Sequence, residues 1–248
     1  MNKVDIKTRD GLCPANVFRP TRGKQWPAVL VFMDGLAIRP AILELGERLA
    51  AAGYFVLLPD LYYRAGPYAP MDPKQVFSDA ASRQKLMEMI GTHATADKMM
   101  SDTRAFLDYL AQQPDVLPGG IGTTGYCMGG KLSLLAAGTF PDRIAAAASF
   151  HGGHLASDAP DSPHLLAAKM KARIYVAGAI EDNSFPDDMK ARLDQALAAA
   201  GADYRIETYP ALHGWVFRDF PVYDAAASER HYESLLALFD ATLKRTAA

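Results

Sequence analysis

Cysteine is scarce in this chain: Cys13 and Cys127 are the two among 248 residues. Two thiols build neither a disulfide framework nor a cysteine-rich zinc site, so each is read on its own, in a compartment expected to be reducing. Charge of one sign is lacking as well. The 26 basic and 28 acidic side chains leave a formal charge of -2, which supplies no pull towards nucleic acid or an anionic membrane. No uninterrupted apolar run approaches the ~18 residues of a membrane span. The opening MNKVDIKTRD has no apolar stretch of the kind a secretory signal needs. A cytoplasmic protein is therefore expected, with neither nucleic acid nor membrane as partner. Repeats, low-complexity tracts and interdomain linkers are also missing, and residues 1–248 are expected to form a single domain around one core.

What the chain does have is hydrophobic pattern. VDIKT and LCPANVF alternate on either side of Asp10-Gly11, which predicts an antiparallel hairpin at a sheet edge. AVLVFM, residues 28–33, is a continuous apolar run of strand length, as in a buried parallel strand. AILELGERLAAAG then places apolar residues at helical spacing and stops at Gly53. The alternation continues through strand YFVLLPD, a helix at about 96–112, strand IGTTGYC, a helix at 128–138 and strand IAAAASF. Strand ARIYVAGA, a helix at about 187–200, strand DYRIETY and a closing helix at about 224–245 complete it. This is an α/β pattern, implying a mostly parallel sheet with helices on both faces. Residues 61–95 break the rhythm with the Pro-, Gly- and Tyr-rich LYYRAGPYAPMDP and a weaker helical stretch. Such an excursion reads either as a substrate-facing segment or as a plain surface loop.

Gly125-Tyr126-Cys127-Met128-Gly129 falls where a predicted strand meets a predicted helix. It has the form of a nucleophile elbow, G-x-nucleophile-x-G, with cysteine as the nucleophile. Glycines beside a strained turn let strand and helix approach closely, and the side chain then projects beyond the strand end. There the helix N-terminus offers positive potential and amide donors to a thiolate and to an oxyanion. A buried, inert core cysteine is the alternative, and for Cys13, with no elbow around it, that alternative is preferred.

An elbow of this kind calls for an acid after a later strand and a histidine after the last one. Asp182, in Ile180-Glu181-Asp182-Asn183-Ser184 beyond ARIYVAGA, is the chosen acid, with Glu181 its nearest rival. Asp187 and Asp188 read instead as first-turn charges of the following helix. His213, in Ala211-Leu212-His213-Gly214 after DYRIETY, is the candidate general base. His151 and His154 flank Gly152-Gly153 with no third ligand nearby, so loop structure or a pocket wall is preferred to a metal site. No metal and no cofactor are expected.

With GYCMGG, LLPDLYYR, SFHGG, the Gly178–Pro186 loop and HGWVF in this order, nearly the whole chain resembles the dienelactone hydrolase family. The resemblance implies an α/β-hydrolase fold of about eight strands, a Cys-His-Asp triad at Cys127, His213 and Asp182, and an enol-lactone substrate whose carboxylate is held by arginines. Asp34 stands where the family typically has a glutamate that helps to activate the thiol or meets the substrate; Asp34-Gly35 as a plain turn is the alternative. Met128 N–H and Gly35 N–H, or Leu36 N–H, are the expected oxyanion donors. Arg83 and Arg218 lie near the positions of the family's substrate arginines. Tyr126, Trp215 and His151 complete the expected substrate contacts. The expected activity is hydrolysis of a small ester or lactone through a thioester. A general carboxylesterase or thioesterase, and a non-catalytic small-ligand-binding protein of the same fold, are the alternatives. The sequence specifies no oligomeric state.

Overall fold

The computed structural model describes residues 1–244. The hairpin forms from β1 (Asn2–Lys7) and β2 (Leu12–Phe18), antiparallel with Ile6 opposite Cys13. Both the amide and the hydroxyl of Thr8 donate to the Gly11 carbonyl and close its turn. β3 (Ala28–Phe32), α1 (Pro40–Ala51) and β4 (Phe55–Pro59) follow. Every residue of β3 and β4 is buried, which is why both read as unbroken apolar runs. α1 starts on Pro40 and turns Ile42, Leu45 and Leu49 inward; Gly46 lies against the Phe18 ring, where a Cβ would collide.

The 61–95 excursion is largely helical: α2 (Pro73–Ser78) and α3 (Ala80–His93). Asp72 caps α2 by accepting from the Lys74 amide at 2.9 Å, and Asp79 caps α3 by accepting from the Ser82 amide at 2.7 Å. No residue of α3 is fully buried, so its apolar periodicity is faint, which is why the sequence showed only a weaker helical stretch there. The 3₁₀ stretch Pro163–Lys169 had no such signal at all.

The remaining elements are α4 (Ala96–Ala111), β5 (Ile121–Tyr126), α5 (Met128–Thr139), β6 (Ile144–Phe150), β7 (Arg173–Gly178), α6 (Asp187–Ala199), β8 (Tyr204–Thr208) and α7 (Ala225–Leu243). The closing helix was expected to reach 245, which lies outside the described residues. The strand order is β1-β2-β4-β3-β5-β6-β7-β8, with β1, β2 and β4 paired antiparallel and all later pairs parallel. Between β3 and β5 the chain changes its direction of progress across the sheet. Loops leaving the C-terminal ends of these two strands diverge and open a crevice.

β5 shows how the sheet sorts its neighbours. Thr123 reaches Ser133 of α5, hydroxyl to hydroxyl, at 2.8 Å, whereas the Tyr126 hydroxyl meets His231 Nε2 of α7 at 2.9 Å. Odd and even positions thus face opposite helical layers, as the pleat requires. Among the described residues no helix is long and apolar enough to cross a membrane.

Candidate active site

Cys127 sits between β5 and α5 at φ 52° and ψ -116°, a region that a side-chain-bearing residue adopts only under constraint. The constraint is visible in its neighbours. A Cβ at Gly125 would run into the Gly129 carbonyl, and one at Gly129 into the carbonyls of Phe32 and Met33. The Cys127 amide donates both to the Phe150 carbonyl at 3.2 Å and to His151 Nδ1 at 3.1 Å. Its carbonyl accepts from the Gly130 amide at 3.0 Å. The elbow is therefore pinned from strand, helix and underside.

Beyond β7, the Asp182 carboxylate is nearly buried. One oxygen meets His213 Nδ1 at 2.8 Å; the other accepts from the Ser184 amide at 2.9 Å and the Ser184 hydroxyl at 2.6 Å. Burial alone would raise this carboxyl, but the bonds from His213 and Ser184 outweigh it and bring the pKa down to about 2. Glu181, the rival acid, is exposed, and its φ of 53° belongs to the sharp turn that aims Asp182 inward. Burial disfavours a charged His213, yet the charge on Cys127 and the bonds to Asp182 and Cys127 prevail and raise it to about 10. Ser184 was not foreseen. Its Asx turn with Asp182, a carboxylate accepting from the amide two residues on, was the available signal.

Two cavities meet at this cluster. One, of about 520 Å³, is lined by Cys127, His213, Met128, Leu132, Leu135 and Ile90 among others. The second, of about 280 Å³, shares Cys127 and His213 and adds Gly35, Leu36, Val76, Leu86 and Phe220. α3 is the outer wall of both, Met87 contributing to each. A Cβ on Gly35 would press on Leu86 and Ile90, so α3 rests directly on the turn after β3.

At that turn the expectations divide. As the first residue of α5, Met128 has an amide without an intrahelical acceptor. Gly35 lies in the smaller cavity wall, its carbonyl fixed by the Tyr62 hydroxyl at 3.0 Å. Leu36 drops out as a donor because its amide is already given to Asp34 Oδ1 at 2.8 Å. Asp34 is not directed to the thiol either. Arg39 grips it with two parallel bonds of 2.7 and 2.8 Å and reaches on to Asp219. Burial pushes the Asp34 carboxyl up, and the guanidinium supplies the compensating charge.

Several expected substrate contacts lie elsewhere. Tyr126 is fully buried on the α7 face of β5, since a residue preceding the elbow points away from it. Trp215 is buried too, stacked on Tyr209 at 5.3 Å between ring centroids. His151 lies under the elbow as an acceptor for the Cys127 amide, with burial holding its pKa well below the ordinary histidine value. His154 does form part of the larger cavity wall, and among the described residues no metal-holding cluster of His, Cys, Asp and Glu occurs. Arg218 is exposed and lines neither cavity. Arg83 edges the smaller cavity, but its guanidinium donates to the Phe77 carbonyl at 3.0 Å and the Val76 carbonyl at 3.4 Å. Cys13 is buried, and desolvation raises its thiol pKa.

Known proteins resemble this chain in sequence and in fold. The profile of the dienelactone hydrolase family matches residues 13–243. A candidate carboxymethylenebutenolidase of Synechocystis sp. is 27% identical over 257 residues, covering 97% of this chain and 99% of its own. The carboxymethylenebutenolidase of Pseudomonas sp. strain P51 is 34% identical over 119 residues, 48% of this chain and 47% of its own. In fold, the crystal structure of a candidate dienelactone hydrolase from Klebsiella pneumoniae superposes with a TM-score of 0.83 at 24% identity, covering 96% of this chain and 97% of that one. An eight-stranded sheet built in this order, an elbow at the end of β5 and a family match over nearly the whole length lead to one assignment: the chain belongs to the dienelactone hydrolase family.

Proposed function

We propose that this carboxylic ester hydrolase cleaves a small ester or lactone with Cys127 as nucleophile, His213 as acid and base, and Asp182 as the group that orients His213. The observation that carries the reading is the 2.8 Å contact from Asp182 to His213 Nδ1, which leaves Nε2 for the cavity floor where Cys127 stands at the elbow. With its proton on His213, the Cys127 sulfur attacks the carbonyl carbon. A carbon–sulfur bond forms, and the carbonyl oxygen takes the negative charge against the amides of Met128 and Gly35. Collapse breaks the carbon–oxygen bond, and His213 gives its proton to the leaving oxygen. Water then attacks the thioester, returns a proton to His213 and frees the thiolate. Thiolates leave easily, so enol and phenol esters suit this cycle better than amides.

The test is hydrolysis of p-nitrophenyl acetate and of a carboxylate-bearing dienelactone by the protein and by Cys127→Ala, with the acyl-enzyme sought by mass spectrometry after an acid quench. A drop of roughly 10³-fold or more in Cys127→Ala, together with an acyl group on Cys127, is the expected result. Unchanged turnover in Cys127→Ala would sink the mechanism, and no turnover by either protein would favour the ligand-binding alternative.

A further inference from the structure

LLPDLYYR, which carries the chain out of β4, supplies no member of the triad, yet one of its side chains reaches the turn after β3. The Tyr62 side chain is buried; its hydroxyl donates to the Gly35 carbonyl at 3.0 Å and lies 3.6 Å from Met128 Sδ. It therefore touches both residues whose amides are assigned to the oxyanion. Burial, with the charges of Cys127, Asp34 and Asp60 adding to it, pushes the phenol pKa up, so the hydroxyl keeps the proton it donates. Tyr62 is itself held in place. Asp60 Oδ1 accepts its amide at 2.9 Å and the Tyr68 hydroxyl at 2.5 Å, and the Tyr68 ring meets the Tyr62 ring edge-on at 5.9 Å between centroids.

The peptide joining Gly35 to Leu36 is bound at both of its polar atoms. Tyr62 holds its oxygen, and Asp34 Oδ1, itself gripped by Arg39, accepts its N–H, that of Leu36, at 2.8 Å. The Gly35 N–H belongs to the preceding peptide, across a Cα that carries no side chain. Glycine is required at this point, since a Cβ would press on Leu86 and Ile90 of α3, but glycine is also the residue whose peptide planes turn most freely. A freely turning donor stabilises an oxyanion poorly, because its value lies in being aimed beforehand. We infer that Tyr62 is a positioning residue of the oxyanion hole, its hydroxyl fixing the Gly35 carbonyl so that the Gly35 N–H keeps the orientation the charged oxygen needs. The inference rests on the mechanism proposed above. Acylation and deacylation both pass through an oxyanion, so kcat depends on Tyr62 whichever step is slower. Displacement at a saturated carbon by the same thiol forms no oxyanion and does not depend on it.

The experiment sets two reactions of Cys127 side by side: hydrolysis of p-nitrophenyl acetate, and alkylation by iodoacetamide followed by mass spectrometry of the Cys127 peptide. The protein is compared with Tyr62→Phe, Tyr63→Phe and Cys127→Ala. Tyr62→Phe removes one oxygen and keeps the ring on Tyr68; urea unfolding reads any cost to the fold, and rates are taken well below the midpoint. Tyr63→Phe is the control for loss of a neighbouring hydroxyl, since Tyr63 bonds to Thr8 and Asp102 and lines neither cavity. In Tyr62→Phe, kcat should fall by roughly 10–10²-fold, with KM within about threefold and the alkylation rate within about twofold of the unaltered protein. Tyr63→Phe should keep kcat within about twofold. An unchanged kcat in Tyr62→Phe overturns the inference. So does a fall shared equally by turnover and alkylation, which would place Tyr62 with the nucleophile or the fold as a whole, and so does an equal fall in Tyr63→Phe. In each of these cases the Cys127 mechanism stands. Turnover that persists in Cys127→Ala overturns the mechanism and the inference together.

Discussion

At the scale of single residues, the decisive contacts involve groups whose ordinary chemistry has been displaced. Asp182 is ionised down to about pH 2 because His213 and Ser184 bind its charged form, and His213 stays protonated to about pH 10. Asp182→Asn removes that charge while keeping the size. It should lower kcat by roughly 10²–10⁴-fold and bring the His213 titration back towards its ordinary range. The pH profile of kcat/KM, with the histidine followed by NMR, checks both. The elbow at Cys127 was legible in the sequence because its glycines answer a local steric demand that any such turn imposes. The choice between Glu181 and Asp182 was harder, since adjacent carboxylates differ only in the turn that aims them. Tyr126 was misread although strand alternation alone turns it away from Cys127. Arg39 and the supporting role of His151 had no legible signal: one acts on Asp34 across a loop, the other on a backbone amide across two strands.

At the scale of elements, strands and helices with strong periodicity emerged nearly as expected, whereas α3 was legible only as a weaker helical stretch without bounds. A helix that buries no residue fully leaves little pattern to read, yet this one walls both cavities. Its fit to the turn after β3 depends on Gly35 as the β5–α5 junction depends on Gly125 and Gly129. Gly129→Ala directs a methyl group at the carbonyls of Phe32 and Met33, which are backbone and cannot swing aside. A loss of about 3 kcal/mol or more is expected, along with loss of activity; urea unfolding measures the first. The substitution Gly119→Ala, at a positive φ but facing open space, is the control for backbone strain without collision.

For the whole molecule, the buried titrating groups set how stability depends on pH. His231 is held down to about pKa 4 by burial, so its contribution is complete above the unfolded histidine value of about 6.5 and is lost as pH falls through 4. His151, pushed the same way, adds to that acid-side loss. His213 is opposite in sign: its contribution is complete below about 6.5 and is lost as pH rises through about 10. The contribution of Asp182 begins to fail only below about pH 3.8. Urea midpoints should therefore be highest near pH 6.5, and His231→Gln should flatten the slope between pH 6.5 and 4. A midpoint independent of pH over that interval in the unaltered protein would contradict the assignment.

The bridge from Asp34 through Arg39 to Asp219 joins parts of the chain 180 positions apart, with the Arg39 guanidinium also lying over the rings of Phe217 and Phe220 at 5.0 and 4.9 Å. One end is the turn that presents Gly35; the other belongs to the segment that follows His213. Strands β4 to β8 all lie between Arg39 and Asp219, so this connection closes a loop of 180 positions in a chain of 248. A refolding chain should regain its helical circular dichroism before it regains esterase activity, because the cavity junction at Cys127 and His213 is completed by the Gly35 turn, which this long-range bridge ties to the segment after His213.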